Sequence, residues 1–413
     1  MTELTTSKSG SSNWRTMIEV VVVLGTTTTV SYGTLYYAFG VVAQEMAADT
    51  GFSLTAIYGI FSFGLFLSGV FASRAGKLFD RHDPATVMAA GSALSALFLV
   101  LWTQTESQWA YAIILIILQA VTMLVLYEAA FVAAAYYVPS AARRTITGIT
   151  LIAGFASTIF WPLTDWLLNF WSWREIYLFF ALLHVVFCLL PHLWLANFRS
   201  AKRQKMAELG TDEAESIQPR LADPRSRKLA FVLLAIGFTA MNFAIISLHL
   251  HMIGILDSLG LAASAALIGA LIGPSQVAGR VVEFAMSDKL PIYGVTLFSA
   301  ALLPAALLLL IYAAPLVTAA VIFAAMFGVG QGLAYIARGV LVLELFGSSG
   351  FGHLTGRFNA FRLYVSAGAP FVVAAIFERG GVEAAVYTIM AVGLLALVSF
   401  GLVGLLLRNE AQQ

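Results

Sequence analysis

Charge is scarce in this chain: lysine, arginine, aspartate and glutamate make up 11% of its 413 residues, against 60% hydrophobic ones. That balance leaves too little polar surface to keep a soluble protein of this size in water, and the mean hydropathy of +0.87 agrees. Cysteine is almost absent, and the single Cys188 excludes an intrachain disulfide. The chain lacks a Gly-Lys-Ser/Thr loop to cradle a nucleotide phosphate, so nothing points to an ATP motor. It also lacks a Cys/His cluster with metal-ligand spacing, because His249 and His251, two residues apart, point away from each other on a helix. No cofactor and no metal are expected, and scattered Ser, His and Asp residues give no catalytic constellation, so an enzyme is not the reading. The net charge of +1 says nothing about partners.

What the chain has instead is apolar length. Twelve long apolar segments fall at residues 17–43, 54–74, 85–103, 109–137, 145–168 and 177–195, then 229–255, 262–285, 292–312, 315–346, 352–378 and 382–407. A bilayer core of ~30 Å needs ~20 apolar residues per helix, and in lipid only helices or closed barrels satisfy their backbone. The runs do not alternate with period two, so the expectation is an all-α membrane protein of twelve transmembrane helices. The halves at residues 17–195 and 229–407 are equal in length, a parallel repeat of the kind carriers use. Between them lies a polar central loop at 196–228, with tails at 1–16 and 408–413. The first apolar segment is expected to be a retained helix, since it is longer than a leader core and has no small-residue cleavage site.

Basic residues set the orientation, because short loops rich in them stay cytoplasmic. Lys8, Arg15, Arg74, Lys77, Arg81, Arg143, Arg144, Lys289 and Arg408 fall on one side, joined by Arg199, Lys202, Arg203, Lys205, Arg220, Arg225, Arg227 and Lys228 of the central loop. The other side holds Arg174 and Arg379. Both termini and the central loop are expected in the cytoplasm. The basic loop is explained by topology and anionic lipid rather than by nucleic acid.

Gly76, Lys77, Leu78, Phe79, Asp80 and Arg81 follow the second apolar segment. A glycine there lets helices pack closely, while an acid is placed to act on a helix terminus, a latch that breaks when halves rock. The same residues also suit an ordinary charged turn. The second half repeats the pattern with Gly279 and Arg280 followed by Ser287, Asp288 and Lys289, and Asp80 and Asp288 stand within four residues of the same distance from the starts of their halves. This signature resembles that of the major facilitator superfamily, as does the Trp173–Arg174 step between the fifth and sixth segments. Asp83 and Pro84 stand where the superfamily has a glycine and a basic residue. The resemblance implies a secondary carrier of two six-helix halves, coupled to protons. Tyr32, Gly33, Thr34, Leu35, Tyr36, Tyr37 and Phe39, with Leu248, His249 and Leu250, resemble the monocarboxylate and oxalate porter branch. That likeness implies that Arg280 engages an anionic substrate, although Gln276 stands one turn before it where the branch has an acid.

Ionisable residues inside apolar segments are functional candidates, since each costs at least ~2.5 to 3.5 kcal/mol at the bilayer centre unless paired or wetted. Glu128 is the sole acid of residues 109–137. Burial favours the neutral form of a carboxyl, which suits a group that carries a proton; the alternative is a structural partner for Arg143 or Arg144. Arg362 lies about 15 Å into its segment at 1.5 Å per residue, near mid-bilayer. It is the leading anion-binding candidate, ahead of Arg280. For Arg338 and Arg357 snorkelling or gate pairing is the stronger reading. Tyr32 and Tyr36, four apart and about 22 Å from the start of their segment, share a helical face, either as ligand contacts or as an interfacial aromatic belt. Gln119, Phe160, Trp161 and Asn242 also lie well inside segments. Gln119 resembles the glutamine of the superfamily's fourth-helix motif, with Ile116 and Ala120 in place of its arginine and glycine. Pro162 and the Gly273–Pro274 pair mark bends.

The expectation is therefore a multi-pass protein of the cytoplasmic (inner) membrane. It would move a small organic solute, anionic or carboxylate-bearing, by alternating access, acting as a monomer with protons as the coupling ion. Substrate contacts are expected from Tyr32, Tyr36, Gln119, Phe160, Asn242, Arg280 and Arg362, proton coupling from Glu128, and a latch from Gly76, Asp80, Arg81 and Asp288. Efflux of a toxic compound or drug is the alternative, and a transporter-like sensor or membrane enzyme a remote one.

Overall fold

The computed structural model describes residues 6–197, 217–221 and 223–410. Arg199, Lys202, Arg203 and Lys205 of the basic central loop lie outside the described residues, as do the ends of both tails. Among the described residues every regular element is helical.

The chain opens with α1 (Thr6–Tyr32), a π-turn (Gly33–Tyr37) and α2 (Ala38–Thr50), which run on as one rod. Next come α3 (Leu54–Arg81), α4 (Pro84–Thr103), α5 (Gln108–Val121), α6 (Tyr127–Tyr137), α7 (Ala142–Ala153), α8 (Ala156–Leu167) and α9 (Trp173–Leu183). A second π-turn (His184–Leu189) leads into α10 (190–197). After the central loop stand α11 (Pro224–Ser258), α12 (Ala265–Ala270), α13 (Ile272–Met286), α14 (Ile292–Ala313), α15 (Val317–Phe346) and α16 (Phe351–Glu410), which turns at Gly381 with φ 75°.

Eleven helical stretches among the described residues are long and apolar enough to cross a membrane. Twelve are expected from the sequence. The last of the eleven runs from Val372 through Gly381 to Arg408, and so takes in the end of the expected eleventh segment together with the twelfth.

Helix starts are written in side chains. Ser53, Asp83, Ser107 and Asp223 each accept a hydrogen bond from the backbone N–H three residues on, and Ser172 with Glu175 forms a capping box. Asp223 lies outside the spans, and the N–H of Ser226 holds its carboxyl below the usual range. Asp83, with Pro84 at the first helical position, also accepts the Tyr137 hydroxyl at 2.7 and 2.8 Å. Asp83→Ala should therefore lower the apparent Tm in detergent by about 2–5 °C, the scale of a lost cap. An unchanged melting curve would show that the cap is idle.

Three of the expected segments are interrupted, two of them, the fifth and eighth, being those in which prolines mark bends. The fourth breaks at Thr122–Leu126, where the Thr122 hydroxyl back-bonds to the Gln119 carbonyl at 2.7 Å, and Glu128 then falls in the first turn of α6. The fifth breaks at Gly154–Phe155, and Pro162 sits inside α8 rather than at the break. The eighth breaks at Leu271, just ahead of Pro274, which has no N–H to give to the preceding turn.

The described chain forms two compact units. One comprises Met1–Gln218 with Gly347–Ala360, so it takes in the start of α16; the other comprises Pro219–Phe346 with Phe361–Gln413. In the first, Trp102, Tyr111, Trp173 and Tyr177 form a fully buried aromatic cluster, with Trp102 4.8 Å from Tyr177 and 5.1 Å from Trp173.

Candidate functional site

In the first unit the start of α16 is docked on the end of α3. Gly76 and Gly352 bring the two backbones into contact: a Cβ at Gly76 would overlap the Gly352 carbonyl, and one at Gly356 would overlap that of Ala72. Asp80 then reaches the unsatisfied N–H groups of a helix start. Its Oδ1 accepts from Gly352 N and its Oδ2 from His353 N, each at 2.8 Å. His353 Nδ1 lies 3.1 Å from Ser73 Oγ. The Gly76–Arg81 stretch, read as a loop from sequence, is thus the end of α3, where the exposed Arg81 suits the negative helix terminus. Asp288 differs from Asp80, because it lies in the exposed turn after α13.

Glu128, half-buried, lines a small cavity under this docking contact with Gly76, Gly352, Thr355, Gly356 and Asn359. Its volume of about 20 Å³ holds about one water.

Tyr32 and Tyr36 do share a face, with ring centroids 6.4 Å apart, and Tyr127 packs 4.8 Å from Tyr32. Tyr37 joins them, 6.2 Å from Tyr32. Sequence spacing hides this, because residues five apart in an α-helix diverge by about 140°. The π-turn, closed by Ala38 N–H to Gly33 O, takes up most of that divergence. Phe160 and Gln119 both pack against the turn itself. Phe160 is buried and packs where a Gly33 Cβ would be, while buried Gln119 donates to the Leu35 carbonyl at 3.4 Å. Trp161 donates to the Tyr37 carbonyl at 3.1 Å.

In the second unit Asn242, Tyr335, Arg338 and Arg362 line one corner, floored by Phe238 and Met241, with about 20 Å³ of space. The sequence reading set Arg338 apart; the structure brings it beside Arg362. Arg280 is 2% exposed and is tied to the Gly332 carbonyl at 3.4 Å and to Gln276 Oε1 at 3.5 Å. The guanidinia of Arg280 and Arg338 both lie over Tyr335, at 5.5 and 5.4 Å from its centroid. Glu283, one turn after Arg280 and 1% exposed, is a buried acid that the sequence reading passed over. Its i, i+3 spacing from Arg280 was the available signal. The larger cavity of about 340 Å³, between Gly279, Pro291 and Phe298, is apolar apart from Glu283 and lacks the arginines, so it is not the anion corner.

The Trp173–Arg174 step ties three elements together. Trp173 donates to Glu45 and Asp49, and Arg174 pairs with Asp49 at 2.8 Å and donates to the Thr103 carbonyl.

The sequence matches the Major Facilitator Superfamily over residues 24–362. No curated protein matches it by sequence. Among solved structures, the proton:xylose symporter XylE bound to 6-bromo-6-deoxy-D-glucose superposes with a TM-score of 0.71 at 11% identity, over 94% of this chain and 95% of that one. The human organic anion transporter MFSD10 (TETRAN) superposes with a TM-score of 0.68 at 15% identity, over 93% and 99%. A shared fold along nearly the whole of two transporters, joined to a family match across most of the sequence, makes this chain a multi-pass membrane transporter that belongs to the Major Facilitator Superfamily.

Proposed function

We propose that the chain is a proton-coupled secondary carrier for a small carboxylate-bearing anion. Alternating access would occur between two six-helix halves of twelve spans, with both termini and the central loop in the cytoplasm. The observation that carries this is the corner where Arg338 and Arg362 meet beside Asn242 and Tyr335. Guanidinia match a carboxylate in shape and charge, and polar neighbours fix its orientation. The organic anion cargo of MFSD10 and the proton coupling of XylE fit this reading, as does the resemblance to the monocarboxylate and oxalate branch. In this reading the carrier works as a monomer of the inner membrane.

The test is uptake and counterflow in proteoliposomes with labelled lactate, oxalate and succinate, alongside xylose and a lipophilic cation. Saturable counterflow of a carboxylate is the expected result; movement of xylose or the cation alone would replace this substrate class. Everted vesicles loaded from outside separate an efflux carrier from an importer. An alkaline phosphatase fusion at the C-terminus should be inactive; activity there would reverse the orientation.

Glu128 is the proposed proton carrier. Glu128→Gln fixes its uncharged form, so it should abolish uptake driven by a pH gradient yet preserve equilibrium exchange, which needs no net proton movement. Loss of both with poor expression would mark a structural role, and full gradient-driven uptake would remove Glu128 from coupling.

A further inference from the structure

Helix α1 meets the α9–α10 rod along a buried polar seam that the sequence reading did not see. His184 Nε2 lies 2.8 Å from Thr34 Oγ1, Cys188 Sγ 3.8 Å from Ser31 Oγ, and His192 Nε2 3.0 Å from Thr27 Oγ1. All six side chains are fully buried, and the rungs repeat every three or four residues on both helices. His192 is anchored on its other nitrogen by Ser92 Oγ at 3.0 Å.

The Thr34–His184 rung is unlike the rest. Its threonine lies inside the π-turn, and His184 opens the second π-turn. Thr34 Oγ1 already gives its hydrogen to the Val30 carbonyl at 2.8 Å, so His184 Nε2 must be the donor. His184 Nδ1 is then a buried acceptor with no hydrogen-bond partner. A π-turn holds one residue more than an α-turn and is stable only where neighbours oppose its relaxation. Such relaxation would rotate Tyr37 away from Tyr32 by about 100°. Around this turn Gln119 and Trp161 hold carbonyls and Phe160 packs on Gly33, while His184 bonds the Thr34 side chain of the turn.

We propose that His184 is a positioning residue for the solute-facing tyrosines, holding the π-turn through Thr34 and so keeping Tyr37 beside Tyr32. This rests on the reading of Tyr32 and Tyr36 as solute contacts, but its test needs no solute. Hydrogen exchange of peptides spanning residues 30–40 is measured in the full-length protein in detergent, together with the melting temperature. Thr34→Val and His184→Leu should each speed exchange of residues 33–38 by about tenfold, the effect of one lost hydrogen bond. The double variant removes both polar partners, so its melting temperature should return close to that of the parent while exchange in the turn stays fast. His184→Gln, which can place an amide N–H near the Nε2 position, should restore slow exchange. Trp161 emission, taken as the difference from a Trp161→Phe protein, should shift in Thr34→Val because its partner carbonyl belongs to the turn.

Parent-like exchange in the double variant would overturn the proposal and leave only helix packing. Failure of the solute reading is separate: unchanged half-saturation in Tyr32→Phe and Tyr36→Phe would remove those contacts while the exchange result stands.

Discussion

Gly76→Val should abolish transport while the protein still inserts and accumulates normally. The valine side chain would occupy the space of the Gly352 carbonyl and His353 Cα, so α16 cannot dock on α3. Both N–H bonds to Asp80 are then lost together. Hydrogen bonds to a charged acceptor contribute about 1.5–3 kcal/mol each. Asp80 is exposed, so the low end applies, about 3 kcal/mol for the pair, which shifts the docked population roughly a hundredfold. On the proposal that this contact is a latch docked and released in each cycle, the carrier would stall in the released form. Asp80→Asn should slow transport severely but less completely, since the amide oxygen still accepts one bond and the glycine contact survives. The measurement is initial counterflow rate of the carboxylate found in the solute panel, normalised to protein in the liposomes. Near-normal counterflow by Gly76→Val would leave the docking without a part in the cycle.

Arg362→Gln and Arg338→Gln should each raise the half-saturation concentration about 10- to 100-fold with little change in maximal rate, as loss of a charge-assisted bond predicts. Arg362→Lys should recover part of the affinity, because it restores the charge but not the fork. Arg280→Gln should behave differently. Its side chain is buried against the Gly332 carbonyl and Gln276, so the smaller effect on affinity should come with reduced protein yield. Concentration dependence unchanged in both the Arg362 and Arg338 variants would dismiss anion binding at this corner.

Helix existence was legible in the sequence because lipid demands length and apolarity, and the ends of α4 and α14 fall within one residue of the expected ones. The break before Glu128 was not legible, since Thr122 reads as one more tolerated residue until its hydroxyl is seen turned back on Gln119. Tyr37 was hidden for a related reason: helical periodicity assumes the α-turn, and a single π-turn changes which residues share a face. Arg338 was set aside on depth along the helix alone, whereas its placement beside Arg362 depends on how α15 and α16 pack. The polar seam escaped because His184, Cys188 and His192 are each unremarkable in an apolar run, and only their common spacing of four marks one face.

The burial of Cys188 has a practical consequence. A thiol reacts with labelling reagents only as an accessible thiolate, and the one thiol in this chain is buried in the second π-turn against α1, with contacts to Ser31 and the Thr27 carbonyl. The unmodified protein should therefore be silent to water-soluble maleimides. Spin labels, fluorophores or crosslinkers can be placed on introduced cysteines, at exposed sites such as Arg81 or Asp288, without stripping out Cys188 and disturbing its packing.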